Sequence, residues 1–167
     1  VAYATKRGST REVAEAVEET LRERGFQVEV EPAGKVKDCG RYDAVVVGGA
    51  LYRGRWHRDA RRLLNRRRKE FPSKPVAVFG MGPCRNEKIA LDRAGQQLQR
   101  ALAKMPEVEA LSIGVFGGVD RNKNVDARDW NAIRVWTQEV GAEFRSVETT
   151  TTALLVADQR SSGGGGS

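Results

Sequence analysis

Side-chain hydroxyls and a glycine cluster at the start of the chain, between a short strand-like run and an amphipathic segment. Residues 1–4 have strand character, and residues 11–17 repeat apolar side chains at helical spacing. Such a turn directs backbone N–H groups, hydroxyls and a helix N-terminus at one small volume, which suits an anion and above all a phosphate monoester. The residues that would hold the anion are Thr5, Lys6, Arg7, Gly8, Ser9 and Thr10. Ser9 or Thr10 could instead serve only to cap the helix, so this stretch by itself leaves two interpretations open.

Two later loops have the composition of a ring-binding site. Residues 42–48 and 75–80 are apolar runs typical of buried parallel strands, and each leads into a glycine-containing loop. The candidate binding residues are Ala50, Leu51, Tyr52, Gly54, Trp56 and His57 in the first loop, and Gly80, Met81, Gly82, Pro83 and Cys84 in the second. Tyr52 and Trp56 could stack on a flat ligand or anchor the loop by local packing.

Strand-like and helix-like segments alternate five times along residues 1–145. An amphipathic helix with Val13, Val17 and Leu21 on one face precedes an edge strand at 26–30, and a fifth strand is predicted at 110–116. The last helix would be capped by Asp126 or Asp129, with a buried stripe of Trp130, Ile133, Trp136 or Thr137, Val140 and Phe144. This alternation predicts an α/β three-layer sandwich, a parallel sheet with helices on both faces.

The three loops would therefore meet at one edge of the predicted sheet, outside the carboxyl ends of its strands, where such folds bind ligands. A phosphate turn, an aromatic loop and a glycine loop together suit a phosphorylated, flat, aromatic ligand. FMN has that shape. Lys6 and Arg7 would complement its dianionic phosphate or would face solvent.

Composition indicates a single soluble domain. The 167 residues are 40% hydrophobic and 31% charged, no apolar run is long enough to span a bilayer, and two cysteines favour a reducing cytoplasm. The formal net charge of +7 is concentrated in residues 57–69. This stretch is either a solvated helix face or, through residues 58–69, a peripheral contact with an anionic membrane or an acidic partner. Nucleic acid is not expected, because no aromatic residues interleave with the cations and no recognition motif is present.

The two ends of the chain differ from its body. Because the chain begins inside a strand and without Met, we expect native residues to precede Val1. We assign residues 1–147 to the domain, 148–160 to a strand-like tail and 161–167 to a Gly/Ser linker of engineered composition. The tail segment 150–157 would be an extra edge strand, a strand swapped in an oligomer or a grafted segment.

Other reactive residues have simpler interpretations. His57 could donate a hydrogen bond to a ligand, but a lone histidine at a helix start is more often a cap or a surface residue. Cys84 could react or tune a cofactor, but a small filler is the simpler interpretation. No Cys/His cluster has zinc spacing and no Ser-His-Asp set is indicated, so we expect no metal and leave the catalytic residues unknown.

The segment 5–10, Thr-Lys-Arg-Gly-Ser-Thr, resembles the phosphate-loop fingerprint of flavodoxin-like proteins, Thr/Ser-x-x-Gly-x-Thr. Residues 42–57 are similar to the third strand and ring-binding loop of the menaquinone-dependent protoporphyrinogen oxidase branch. The Asp129-Trp130 pair, which opens the last helix, also resembles that branch. The resemblance implies a five-stranded parallel sheet of order 2-1-3-4-5. It also implies non-covalent FMN, with its phosphate at residues 5–10 and its ring between residues 50–57 and 80–84.

Three functional hypotheses remain open, the first two from this resemblance and the third from the Gly/Ser composition of residues 161–167. The first is an FMN-dependent oxidoreductase of the flavodoxin-like class, whose partner would be a quinone or a redox partner protein. One version of it oxidises protoporphyrinogen-type substrates with a quinone acceptor. The basic insertion expected near the fifth strand is reduced to residues 117–129, which counts against that substrate but not against flavin binding. The second is a flavodoxin-type electron carrier. The third is an engineered flavodoxin-fold scaffold without a catalytic role.

Overall fold

A central parallel sheet carries the candidate loops at one edge. The computed structural model describes residues 1–85 and 87–162, and the side chains of residues 1–85 and 87–150. The helices are α1 (Ser9–Glu23), α2 (Arg58–Arg67), which a 3-10 turn at Arg68–Glu70 extends, α3 (Lys88–Leu102) and α4 (Trp130–Ser162). The strands are β1 (Ala2–Ala4), β2 (Glu31–Pro32), β3 (Val45–Tyr52), β4 (Arg55–Trp56), β5 (Val76–Met81), β6 (Ala110–Phe116), β7 (Val119–Asp120) and β8 (Val125–Asp126).

The strand order confirms the predicted fold class. Five parallel strands lie in the order β2-β1-β3-β5-β6, which is 2-1-3-4-5 when the short antiparallel β4 is left out of the numbering. β3 is central, since Val47 is in register with Ala2 of β1 and with Val78 of β5. No helix of the described part of the chain is long and apolar enough to cross a membrane.

Helices cover both faces of the sheet and bury two hydrophobic clusters. On one face, α2 and α3 bury Ala60, Leu63, Leu64, Leu98 and Leu102 against β1, β3 and β5. On the other, α1 and α4 bury Val13, Val17, Leu21, Ile133, Val140 and Phe144 around Phe79 and Phe116. The predicted apolar faces of the first and last helices are therefore the faces that the sheet covers.

The edge strand lies later in the chain than predicted. Residues 26–30 belong to no strand, and β2 is Glu31–Pro32. The Glu31 N–H donates to Val1 O at 3.0 Å and the Ala33 N–H donates to Tyr3 O at 2.7 Å, so Pro32 occupies a position that donates no ladder hydrogen bond. Phe26 instead packs edge-on against Phe144 of α4, at 6.5 Å between ring centroids. Packing against the helix layer thus outweighs the alternating pattern of residues 26–30.

The loop predicted after the third strand is a β-hairpin. β3 continues to Tyr52, and β4 returns antiparallel with Leu51 opposite Trp56. The two turn residues both have positive φ, 48° at Arg53 and 76° at Gly54. These values define a type I′ turn, whose twist matches that of the flanking strands and which favours glycine at its second position.

The tail predicted to be strand-like is helical. α4 runs without a break to Ser162, so segment 150–157 is not a strand, and residues 163–167 of the assigned linker lie outside the described residues. Extending an existing helix adds one hydrogen bond per residue, whereas a strand needs a free sheet edge beside it. At the other end, the Asp129 carboxylate accepts from the Ala132 N–H at 2.9 Å and so caps α4. Trp130 is 44% exposed and lies outside the buried stripe.

Candidate functional site

Residues 5–10, called the phosphate turn after their predicted ligand, join β1 to α1 at the carboxyl edge of the sheet. Gly8 is the N-cap residue of α1. Neither Ser9 nor Thr10 therefore caps the helix, which was the alternative to anion binding. The Thr5 hydroxyl oxygen accepts a hydrogen bond from the Gly8 N–H at 2.9 Å and holds the turn closed. Gly8 O accepts from the Arg11 N–H at 3.0 Å, but glycine has no side-chain acceptor, so the N–H groups of Ser9 and Thr10 have no partner among the described residues. These groups suit an external anion.

Thr10 is the polar side chain of this turn that the fold leaves unsatisfied. Its residue is fully buried, and its Oγ1 has no hydrogen-bond partner within the described part of the chain. A buried hydroxyl without a partner costs roughly 1–3 kcal/mol. By contrast, the buried hydroxyls of Thr20 and Thr137 each donate to a carbonyl oxygen in their own helix. The unpaired donor beside free helix N–H groups fits a phosphate oxygen.

Tyr52 lies beside the phosphate turn and is open to a ligand. Its ring is on the hairpin, the residue is 59% exposed, and the Lys6 ammonium lies 5.2 Å from the ring centroid. The Arg53 guanidinium lies 5.4 Å from the same centroid. The structure thus brings together the first two predicted loops.

Trp56 does not offer a face for stacking. It is 1% exposed, and its indole N–H donates to Gly49 O at 3.1 Å and Phe79 O at 3.3 Å. Trp56 therefore anchors the loop by local packing and does not stack on a ligand, which decides between its two interpretations. His57 is the N-cap of α2, and its Nδ1 accepts from the Asp59 N–H at 3.2 Å. This is the capping role that was its simpler interpretation.

The predicted glycine loop divides into a buried part and an exposed part. Gly80 and Met81 end β5 inside the core, while Gly82 and Pro83 are half-buried and Cys84 is exposed. The Gly82 N–H donates to Phe116 O at 2.6 Å, and the Gly118 N–H donates to Pro83 O at 2.8 Å. The loop is therefore tied to the segment that follows β6.

Cys84 is not an activated nucleophile. Burial raises the pKa of its thiol, and the nearby Asp120 carboxylate raises it further. A thiol with a raised pKa carries less thiolate at neutral pH and reacts more slowly.

An arginine that sequence analysis did not place at the site approaches the phosphate turn. The turn between β7 and β8 carries Arg121, whose Nη2 would lie 3.9 Å from a Cβ placed on Gly8. Arg121 also lies 3.4 Å from the Glu12 carboxylate of α1, and Arg128 lies 2.5 Å from the same side chain. Arg121 and Arg128 thus both reach Glu12 of α1, and Arg121 also approaches Gly8. The signal in the sequence was the pair of Val-Asp dipeptides that flank this turn, but that pattern does not indicate where the hairpin folds.

A parallel 2-1-3-4-5 sheet, with the segment Thr-x-x-Gly-x-Thr of residues 5–10 after its first strand, is the arrangement of a flavodoxin-like domain. A model of the flavodoxin domain family matches residues 1–146. The chain therefore belongs to that family. A comparison with curated protein sequences gives no significant match.

Solved structures share the fold at low sequence identity. A short-chain flavodoxin associated with a non-canonical PDU bacterial microcompartment aligns with a TM-score of 0.63 at 16% identity, over 87% of this chain and 94% of that one. Flavodoxin 1 from Bacillus cereus gives a TM-score of 0.53 at 18% identity, over 87% and 95%. Rubredoxin oxygen:oxidoreductase from Desulfovibrio gigas gives 0.59 at 17% identity, over 87% of this chain but 35% of that one. The chain thus spans about a third of the length of the Desulfovibrio protein.

Flavodoxin domains are electron-transfer flavoproteins that bind FMN. At the level of the family, this agrees with the predicted cofactor and with the broad functional class. The comparisons do not support the narrower resemblance to the protoporphyrinogen oxidase branch.

Proposed function

We propose that this chain binds FMN at the carboxyl edge of its sheet and works as an electron-transfer domain. The observation that carries the proposal is the buried Thr10 hydroxyl, which has no partner in the described chain and lies in the first turn of α1. A phosphate oxygen would accept a hydrogen bond from it and from the free N–H groups of that turn.

Other residues at this edge would contact different parts of the FMN molecule. Lys6 and Arg7 are exposed on the turn and would offset the phosphate charge, while Thr5 fixes the turn through Gly8. The exposed ring of Tyr52 would stack on the flavin, and residues 82–84 would border its other side. Bound FMN would supply one- or two-electron redox chemistry at this edge.

Of the three hypotheses, we favour the electron carrier. The family model and the flavodoxin structures support an electron-transfer role, and they do not support the protoporphyrinogen oxidase branch. The scaffold hypothesis gives no reason for an unsatisfied hydroxyl and uncapped N–H groups at the same turn. These two features support flavin binding.

Titration of the flavin-free protein with FMN tests the proposal. We expect saturable quenching of FMN fluorescence and a visible spectrum that changes on binding. Thr10→Val should weaken FMN binding by about tenfold, since one hydrogen bond to a charged group is lost. Thr20→Val is the matched control, because Thr20 is buried in the same helix but its hydroxyl bonds to Ala16 O. A chain that binds no FMN would support the scaffold hypothesis, and equal affinity in both variants would mean that the phosphate lies elsewhere.

We also propose that helix α2 and its 3-10 extension contact an anionic membrane surface. Leu63 and Leu64 are buried, and the opposite side carries cations. Arg67 and Arg68 pair with Glu70 and Glu107, at 3.3 and 3.5 Å. Three other exposed cations, Arg62, Arg66 and Lys69, have no ion-pair partner among the described residues. Each would add roughly 1 kcal/mol at an anionic surface.

Co-sedimentation with lipid vesicles tests this contact. The chain should bind vesicles that contain phosphatidylglycerol but not phosphatidylcholine alone, and added salt should weaken binding. Replacing Arg62, Arg66 and Lys69 together by Gln should abolish binding. The control replaces Arg93, Arg100 and Lys104, three exposed cations of the α3 region, and should retain most of it. Equal loss in both variants would mean that net charge alone is responsible, and no binding to either vesicle would favour an acidic protein partner.

A further inference from the structure

We infer that Arg121 makes the site selective for a flavin with a monoester phosphate. The inference rests on the proposed FMN site and adds to it a residue from a distant part of the chain. Arg121 lies in the turn of the β7–β8 hairpin, over 110 positions after the phosphate turn in sequence. The guanidinium of Arg121, whose Nη2 would lie 3.9 Å from a Cβ placed on Gly8, puts a positive charge beside the proposed anion site.

The hairpin is held in place by a neighbouring arginine. Arg128 has a side chain only 9% exposed, and its guanidinium contacts the carboxylates of Asp126 and Glu12, both at 2.5 Å. The Ala127 N–H also donates to Gly118 O at 3.0 Å. Arg128 therefore positions the base of the hairpin against the first turn of α1.

Arg121 is held more loosely than Arg128. Its side chain is 63% exposed, and its one described partner is Glu12 at 3.4 Å. The Glu12 carboxylate already has a closer partner in Arg128. Arg121 can thus turn from Glu12 to a phosphate without leaving a buried charge unpaired.

The charges near the turn favour a dianion. Arg121 and Arg128 balance Glu12 and Asp126, and Lys6 and Arg7 add two further positive charges on the turn itself. A guanidinium presents parallel N–H donors that match two phosphate oxygens, which an ammonium does not. The unpartnered hydroxyl of Thr10 independently indicates an acceptor at the same place.

Comparison of FMN with riboflavin tests the role of Arg121, because riboflavin has the same ring system without the phosphate. We expect Arg121→Gln to weaken FMN binding by about tenfold and to change riboflavin binding by less than about twofold. Lys123→Gln is the matched control, since it removes one positive charge from the same turn. Arg121→Lys should restore part of the FMN affinity, because it returns the charge without the planar fork.

A second substitution is expected to have the opposite sign. Glu12→Gln removes the carboxylate charge that competes for Arg121 and repels the phosphate, while the amide oxygen of Gln can still accept a hydrogen bond from Arg128 and hold the hairpin in place. FMN binding should therefore tighten while riboflavin binding stays constant. A purely structural role for the Arg121–Glu12 pair would weaken binding of both flavins in both variants.

The outcomes separate this inference from the proposed function. If the unmodified chain binds neither flavin, the proposed function fails and the inference fails with it. If FMN binds but Arg121→Gln has no effect, lowers both affinities equally, or matches Lys123→Gln, only the role of Arg121 is overturned. Selective loss of FMN affinity in Arg121→Gln, with partial recovery in Arg121→Lys, supports it.

Discussion

Trp56 lies directly over Gly49. The indole N–H donates to Gly49 O at 3.1 Å, and a Cβ on residue 49 would lie 2.7 Å from the same nitrogen. The indole also donates to Phe79 O at 3.3 Å, so it joins β4 to both β3 and β5. The hairpin that presents Tyr52 at the site is therefore fixed from beneath by a buried aromatic residue. Glycine is required at position 49 because the indole occupies the space of a side chain.

The first prediction concerns this contact. Trp56→Phe keeps an aromatic ring but removes the N–H, which leaves two buried carbonyl oxygens without that donor. We expect the free energy of unfolding to fall by about 1–3 kcal/mol, measured by urea denaturation. Trp130→Phe is the control, because Trp130 is 44% exposed, and it should change stability by less than about 0.5 kcal/mol. Similar effects of the two substitutions would show that the indole hydrogen bonds contribute little.

Much of the fold was predictable because its strongest signals are local. The stripe of Val13, Val17 and Leu21 is buried as predicted, and β6 has the predicted bounds, 110–116. The hairpin was missed because its turn is Arg53-Gly54, in which arginine takes the positive φ that asparagine or aspartate usually takes. The prediction for the tail was wrong because a run of threonines and aliphatic residues has strand propensity. The segment follows an established helix, and it continues that helix instead.

The site was predictable where it is local in sequence and not where it is assembled from distant segments. Thr10 follows from the fingerprint of residues 5–10, and Tyr52 follows from an aromatic residue after a buried strand. The sequence does not distinguish Trp56, which is buried, from Tyr52, which is exposed, because both rings have apolar bodies and polar tips. The position of Arg121 depends on ion pairs between a late hairpin and α1. Sequence spacing carries no information about those pairs.

The second prediction uses the two cysteines to locate the ligand. Cys84 is exposed at the proposed site, and Cys39 is 1% exposed in the core. Iodoacetamide should modify Cys84 alone in the native protein, and more slowly than free cysteine, because burial and Asp120 raise the pKa of the thiol. Saturating FMN should slow that reaction further by covering residues 82–84. Mass spectrometry of the modified peptides measures both effects, and an FMN complex whose Cys84 reacts at the unliganded rate would place the ring elsewhere.

The third prediction is a pH dependence at the β7–β8 hairpin. Hydrogen bonds from the Arg128 guanidinium, at 2.8 and 2.5 Å, lower the pKa of Asp126 below its ordinary value. A carboxylate with a lowered pKa stabilises the folded state above its unfolded pKa, about 3.9, and this contribution is lost as the pH falls through the lowered value.

Urea denaturation of Asp126→Asn measures this contribution. The variant should be less stable than the unmodified chain near neutral pH, and the difference should shrink as the pH falls below about 3.9. A difference that stays constant over this range would show that the Asp126–Arg128 contact does not depend on the carboxylate charge.

The last prediction is that one substitution at the proposed phosphate site raises stability while it weakens binding. Thr10→Val replaces a buried hydroxyl that has no partner in the described chain with a methyl group of similar size. Without ligand, the free energy of unfolding should rise by about 1 kcal/mol, since an unsatisfied polar group is no longer buried. Thr20→Val should lower it slightly or leave it unchanged, because that hydroxyl already donates to Ala16 O at 2.9 Å.

Urea denaturation with and without FMN measures both the stability of the unliganded protein and the stability that FMN adds. The extra stability that FMN confers on the unmodified chain should be smaller in Thr10→Val, since a bound ligand stabilises the folded state by RT ln(1 + c/Kd), where c is the concentration of free FMN, and the Kd of the variant is larger. A variant that loses stability in the absence of FMN would show that the Thr10 hydroxyl is satisfied within the fold and is not reserved for a ligand.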